Sequence, residues 1–403
     1  MSSGDLTRTA VLALLGAGGP LSRAEIARAL EVSPATVTQV TRDLLSRGMV
    51  AEVEQAPSQG GRPGQRLALV GSAGHAVGVK VAADHVAMVD VGLDGVVLSS
   101  WTKDFDGSSP GATDDLATAL SDVLASVASP ETPLLGVGVG VPGSVDDQAS
   151  GIVDAPTLHW TQLQLGAHLR KALGVPVLVE NDVNALAAAE RLYGHGRDHR
   201  DFLVITIGRG IGASLVTEGA VYRGSRGGAG EIGHMPVTAD GPVCACGGRG
   251  CLEAFIGEEA LLRAGRRAGL RRLRSRDDLL AAADRGDARA RQVFAHAAQT
   301  LGLAAAGVVN LVDPEIVVVL GEGTEAWSWW EADFERTMRS HLLPLRRAIP
   351  VEVGAWDDTS WALGAAALVL STPFDTAGAA GAQGALVRAR LGDPQRTKIG
   401  HTS

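Results

Sequence analysis

All three cysteines of the 403-residue chain fall within eight residues, Cys244-Ala-Cys246-Gly-Gly-Arg-Gly-Cys251, and His234 precedes the first by ten. Three thiolates and an imidazole make a closed tetrahedral donor set of the softness that zinc prefers. No coordination position is left for water or substrate. The chemistry expected is therefore structural: one zinc ion, held by His234, Cys244, Cys246 and Cys251, fixing a glycine-rich loop. The alternative, three buried thiols, accounts poorly for the clustering of every cysteine in one loop. Three cysteines cannot form a disulfide framework, and an odd count suits a reducing compartment, so the cytoplasm is the expected location.

A second set of chemistry-bearing residues lies near the N-terminus. Apolar residues at Leu12 and Leu15, at Ile26 and Leu30, and at Val37, Val40 and Leu44 recur at helical spacing, divided by turn signals. Ser22 and Glu25 form a capping-box pattern, and Ser33-Pro34 places an N-cap serine before a proline at the first helical position. With Val37, Val40 and Leu44 turned inward, Thr36, Gln39 and Arg42 share the opposite face. That face carries the hydroxyl, amide and guanidinium groups that read base edges and phosphates in a major groove. Ser33 and Thr38 are further candidate contacts. Alternating residues 49–53 and 67–70 read as two strands around the glycine-rich turn of residues 60–66, so Arg62 sits at the tip of a wing. Three short helices alone would favour a small domain with a solvated polar face. The basic-tipped hairpin after them tips the reading to a winged helix-turn-helix over residues 1–72, whose partner is double-stranded DNA.

The rest of the chain alternates strands with helices. Val77–Val81, Val86–Val91, Gly95–Leu98, Leu134–Val141, Val175–Asn181, Phe202–Ile207 and Glu315–Leu320 read as strands, and a helix opens directly after Asn181-Asp182. Such alternation implies two α/β lobes over residues 73–372, with ligands near the carboxyl ends of strands. Residues 373–403, rich in alanine and glycine, are expected to be a disordered tail. Hydrophobic residues make up 45% of the chain, which excludes wholesale disorder. No signal peptide and no membrane span are expected.

Four segments, in order and spacing, resemble the ROK family (repressor, open reading frame, kinase). They are Gly140-Val-Pro-Gly-Ser-Val-Asp146, Glu180-Asn-Asp-Val-Asn-Ala185, Gly230-Glu-Ile-Gly-His-Met235 and Cys244-x-Cys-Gly-x-x-Gly-Cys-x-Glu253. The resemblance implies an actin-like, two-lobed fold of the ribonuclease-H-like sugar-kinase class. It also implies a structural zinc, sugar hydroxyls held in the interlobe cleft, and a homodimer or homotetramer. By position, Asn181, Asp182, Glu231, His234 and Glu253 correspond to the sugar-contacting set, and Asp182 to the general base of the family's kinases. Read without the family, Asn181-Asp182 is better taken as a plain helix cap.

The nucleotide side of that pattern is altered. Where the kinases carry an Asp-x-Gly-Gly-Thr turn, this chain has Lys80-Val81-Ala82-Ala83-Asp84. Arg209 replaces a hydroxyl residue in Gly208-Arg-Gly-Ile-Gly212, and Glu322 interrupts a double glycine. Phosphoryl transfer needs backbone amides and positive charge around the phosphate, so the ATP site reads as degenerate and Asp182 as a vestigial base. The function expected is a sugar-responsive transcriptional repressor that is not an enzyme. The alternatives are an ATP-dependent sugar kinase and a regulator answering to a partner protein.

Overall fold

The computed structural model describes residues 10–12, 14–16, 19–53, 65–129, 131–357, 359–374 and 380–392. The chain divides into two units, residues 1–198 with 358–403, and residues 199–357.

The first unit opens with the winged helix. Ser22 caps Arg23–Ala29 through a complete capping box: Glu25 N–H donates to Ser22 Oγ (3.3 Å) and Ser22 N–H to Glu25 Oε2 (2.7 Å). Ser33 caps Pro34–Ser46 by accepting the Thr36 N–H at 3.1 Å. Val50–Val53 pairs antiparallel with Arg66–Leu69, in register Val50 to Leu69. A third strand, Leu21–Ser22, lies on the other side of Arg66–Leu69 and was not foreseen, since two residues carry no alternation signal.

Beyond a 3-10 turn at Gly71–Ala73 comes a five-stranded sheet in the order Val177–Asn181, Leu134–Val141, His75–Val81, His85–Gly92, Val97–Asp104. The first three strands are parallel and the last two antiparallel. Alternate residues face opposite sides. Val77, Val79 and Val81 pack with Leu116, Leu120 and Leu169. On the other face, Ser360–Ser371 rests on the strand backbones: a Cβ on Gly78 would stand 2.0 Å from the Ala362 carbonyl oxygen, and one on Gly138 1.8 Å from that of Ala365. Glycine is required at both, since any side chain would push the helix off the sheet.

Gly381–Gly392 is a helix, which corrects the expectation of a wholly disordered tail. Val387 and Leu391 are buried, and the Arg390 guanidinium donates to the Leu134 carbonyl at 3.1 Å. Burial supplies the helix stability that an alanine- and glycine-rich composition does not.

The second unit is built on a sheet in the order Ala220–Tyr222, Ile211–Thr217, Phe202–Ile207, Ile316–Leu320, Val351–Val353. Its longest helix, Ala288–Val312, is by length and composition alone apolar enough to cross a membrane. Half of its apolar window is buried, and Phe294 and Leu301 share a core with Trp330 and Phe334. It is the core helix of an α/β unit.

Candidate metal centre and effector-site residues

In the second unit the chain turns twice to gather the cysteines. Cys244 N–H donates to the Gly248 carbonyl (2.8 Å) and Gly247 N–H to that of Cys244 (3.0 Å), closing a tight loop. Gly250 has φ +70°, and a Cβ there would meet the Thr238 carbonyl oxygen at 1.8 Å, so only glycine lets the loop return. The result is a cluster in which one donor atom each of His234, Cys244, Cys246 and Cys251 lies within 4.8 Å of the others. Cys244 Sγ is 3.6 Å from His234 Nδ1, and Cys246 Sγ is 3.7 Å from Cys251 Sγ. A tetrahedral ion with metal–sulfur bonds of about 2.3 Å has sulfur–sulfur edges of about 3.8 Å, so these four residues fit a metal ion. Without a cation, burial and the neighbouring thiols push the Cys251 thiol up to about 11. The Cys246 thiol is held below its ordinary value, chiefly by the Gly248 N–H.

His234 faces two ways. Its Nδ1 points to the cysteines, leaving Nε2 3.9 Å from Glu231 Oε2. A metal on Nδ1 would leave the proton on Nε2, making that atom a fixed donor. Glu253, two residues beyond Cys251, begins the short helix Glu253–Ile256, and its Oε2 accepts the Ile211 N–H at 3.1 Å. The cysteine loop and the Gly208–Gly212 turn therefore both position Glu253. Glu322 lies against the same turn. A Cβ on Gly208 would stand 2.3 Å from a carboxylate oxygen of Glu322, so that carboxylate covers the backbone of the turn.

Asn181 and Asp182 belong to the first unit. Asn181 is the N-cap of Asp182–Tyr193: its Oδ1 accepts the N–H groups of Val183 (2.9 Å) and Asn184 (3.1 Å), and its amide donates to the Gly143 carbonyl (2.9 Å). The plain-cap reading of the sequence thus holds for Asn181. Asp182, buried, accepts the Val183 N–H on Oδ1 (2.9 Å) and is ion-paired through Oδ2 with Lys80. The Lys80 ammonium also lies 4.5 Å from the ring centroid of Trp361. Two residues here were not singled out from sequence. Glu180, fully buried, accepts from Gln148 (3.0 Å) and Asn184 (3.4 Å), bracing the strand end; it was visible inside the Glu180–Ala185 motif. Trp361 had no sequence signal at all.

On the winged helix, Gln39, Thr38 and Arg42 are exposed and Thr36 half-buried on the face opposite Val37 and Leu44. Arg42 has no ion-pair partner among the described residues. Thr38 Oγ1 returns a hydrogen bond to the Pro34 carbonyl (2.8 Å), and Ser33 Oγ is engaged as the cap, so both hydroxyls have local structural work. Arg62 lies outside the described residues.

The ROK family model matches residues 76–372. The chain belongs to the ROK family. A MarR family model matches residues 5–62 of the same chain, ahead of the ROK region. This ROK protein is 30% identical over 304 residues to the xylose repressor of Bacillus subtilis (strain 168), covering 74% of this chain and 78% of that protein. It is also 30% identical over 375 residues to the N-acetylglucosamine repressor of Escherichia coli O6:H1, covering 91% and 92%. A crystal structure of a ROK family transcriptional regulator, a homologue of the E. coli MLC protein, superposes with a TM-score of 0.81 at 26% identity, over 97% of this chain and 99% of that one.

Proposed function

We infer that this ROK protein is a sugar-responsive DNA-binding transcriptional regulator acting as a repressor. The observation that carries the reading is the joining, in one chain, of a winged helix with an exposed polar recognition face to a ROK domain that carries the carboxylates of Asp182, Glu231 and Glu253. The effector is a sugar or sugar derivative, and its contacts are Asn181, Asp182, Glu231, His234 and Glu253. A sugar offers hydroxyls that donate and accept, and carboxylates, an amide and an imidazole match both roles. Zinc occupies His234, Cys244, Cys246 and Cys251 and holds the loop that carries Glu253. A homodimer sets two recognition helices on operator half-sites about one helical turn apart. Ser33, Thr36, Thr38, Gln39, Arg42 and Arg62 supply the DNA contacts.

The protein is not a kinase in this reading. The ion pair of Lys80 with Asp182 and the Glu322 carboxylate over Gly208 both support that: one occupies the base, the other sets negative charge where phosphates would need backbone amides. The retained Asp182 favours the second reading, an ATP-dependent sugar kinase.

Fluorescence anisotropy with DNA from the region upstream of the protein's own gene, at two salt concentrations, tests the regulator reading. Tight, salt-sensitive binding released by one of D-xylose, N-acetyl-D-glucosamine or D-glucose is the expected result. Binding indifferent to every sugar, or absent, refutes it. Sugar-dependent ADP release in a coupled assay would establish the kinase instead.

A further inference from the structure

Lys80 ends a face of the strand His75–Val81 that otherwise carries Ala76 and Gly78 against the helix Ser360–Ser371. Its register partner on the adjacent strand is Gly140, and Gly140 is in turn the partner of Glu180 on the next. Lys80 and the residues just past Glu180 therefore approach each other across a position with no side chain. There the ammonium meets the Asp182 carboxylate on one side and the Trp361 ring, 4.5 Å away, on the other. The side chains of Lys80 and Asp182 are only 12% and 11% exposed.

We propose that Lys80 is a sugar-positioning residue, which holds the Asp182 carboxylate in one orientation as a hydrogen-bond acceptor for an effector hydroxyl. The proposal rests on the reading that Asp182 contacts the sugar. Accepting a hydrogen bond and abstracting a proton make different demands on a carboxylate. A base needs an oxygen free to take the proton, and Oδ2 of Asp182 is already engaged by the Lys80 ammonium. An acceptor needs only a fixed lone pair. Asp182 Oδ1 is held by the Val183 N–H and Oδ2 by Lys80, which uses two of about four acceptor sites and leaves the others for a ligand. The Trp361 face gives the ammonium a second partner and keeps it in place. Stability alone does not explain the pair, because a buried ion pair is commonly no more stabilising than apolar residues of the same volume. One substitution at Lys80 thus accounts both for the loss of a base and for the retention of a sugar contact.

A double-mutant cycle on the full-length protein tests this, with D-xylose, N-acetyl-D-glucosamine and D-glucose as titrants in calorimetry. For the sugar that wild type binds, Lys80→Met is expected to weaken binding about tenfold and Asp182→Asn by at least as much. The double variant should bind within about threefold of Asp182→Asn alone, and Lys80→Arg, which keeps the charge, within about threefold of wild type. A purely structural lysine would not show that non-additivity together with that rescue. Unchanged affinity in folded Lys80→Met, or losses that multiply in the double variant, overturns the proposal while leaving Asp182 as a contact. Unchanged affinity in Asp182→Asn overturns the contact itself, and wild type binding none of the three sugars removes both. Where Lys80→Met fails to fold, the double variant against Asp182→Asn decides: equal affinity supports the proposal, and a further tenfold loss refutes it.

Discussion

The Tyr193 hydroxyl, at the end of the helix that begins with Asp182, donates to the Leu93 carbonyl at 3.2 Å. Leu93 N–H in turn donates to the carbonyls of Gly71 and Gly74, both at 3.0 Å, in the segment that leads from the winged helix into the first sheet. One helix therefore links Asp182 to the strand turn that holds this segment. Gly95, with φ +84°, lies flat against the Tyr193 ring, where a Cβ would approach to 2.9 Å. Burial, then the Asp94 carboxylate, pushes the phenol well above its ordinary value, so it stays a donor at any working pH. Tyr193→Phe should lower the unfolding free energy of this unit by about 1 kcal/mol, the worth of one buried hydrogen bond, as read by urea denaturation. No change in midpoint would show the contact to be dispensable.

A glycine that lets helix and sheet touch should tolerate nothing larger. Gly138→Ala sets a methyl 1.8 Å from the Ala365 carbonyl oxygen, so the helix must move or the strand must bend. A loss of about 1–3 kcal/mol or more is expected in the same denaturation experiment. Gly307→Ala, where a Cβ meets open space on an exposed helix face, should instead be neutral or stabilising.

Elemental analysis of the purified protein should return about one zinc per chain, and less than half an equivalent for Cys246→Ser. The three thiols should react with a thiol reagent only after a strong chelator is added, since a metal-bound thiolate is protected. Three freely reactive thiols in protein never exposed to chelator would remove the metal assignment.

Burial raises the Glu190 carboxyl above the ordinary carboxylate range, against the opposing pull of the His195 and Gly196 N–H groups. A raised folded-state value means that the native state binds the extra proton. Its stabilising contribution is full below about pH 4.3, the unfolded value, and is lost as pH rises through the folded one. Thermal melts of Glu190→Gln and wild type should therefore diverge in favour of the glutamine variant as pH increases from about 4 to neutrality. A constant difference over that range would contradict the sign.

Arg42 is exposed on the recognition helix and free of ion pairs among the described residues. Arg42→Ala should leave the melting curve within about 0.5 kcal/mol of wild type. It should weaken operator binding by about 1–3 kcal/mol in anisotropy titrations. Unaltered operator affinity would remove Arg42 from the interface.

What the sequence determined by itself was local. The Cys₃His set shows because its donors sit within eighteen residues, and the caps at Ser22 and Ser33 because a cap bonds two or three residues along the chain. The five-residue strand Ile316–Leu320 is visible because every position is buried and apolar. Tertiary structure decided the rest. Lys80 and Asp182 are 102 residues apart and meet only because two parallel strand pairings bring Gly140 between them. Glu322 covers Gly208 because the strands Phe202–Ile207 and Ile316–Leu320 are register neighbours in the second sheet. The helix Gly381–Gly392 forms although its composition argues against it, since burying Val387 and Leu391 supplies the free energy that its glycines withhold. Donor sets and caps bond along the chain, so residue spacing reveals them; a buried ion pair depends on which strand lies beside which, and only the packed sheet settles that.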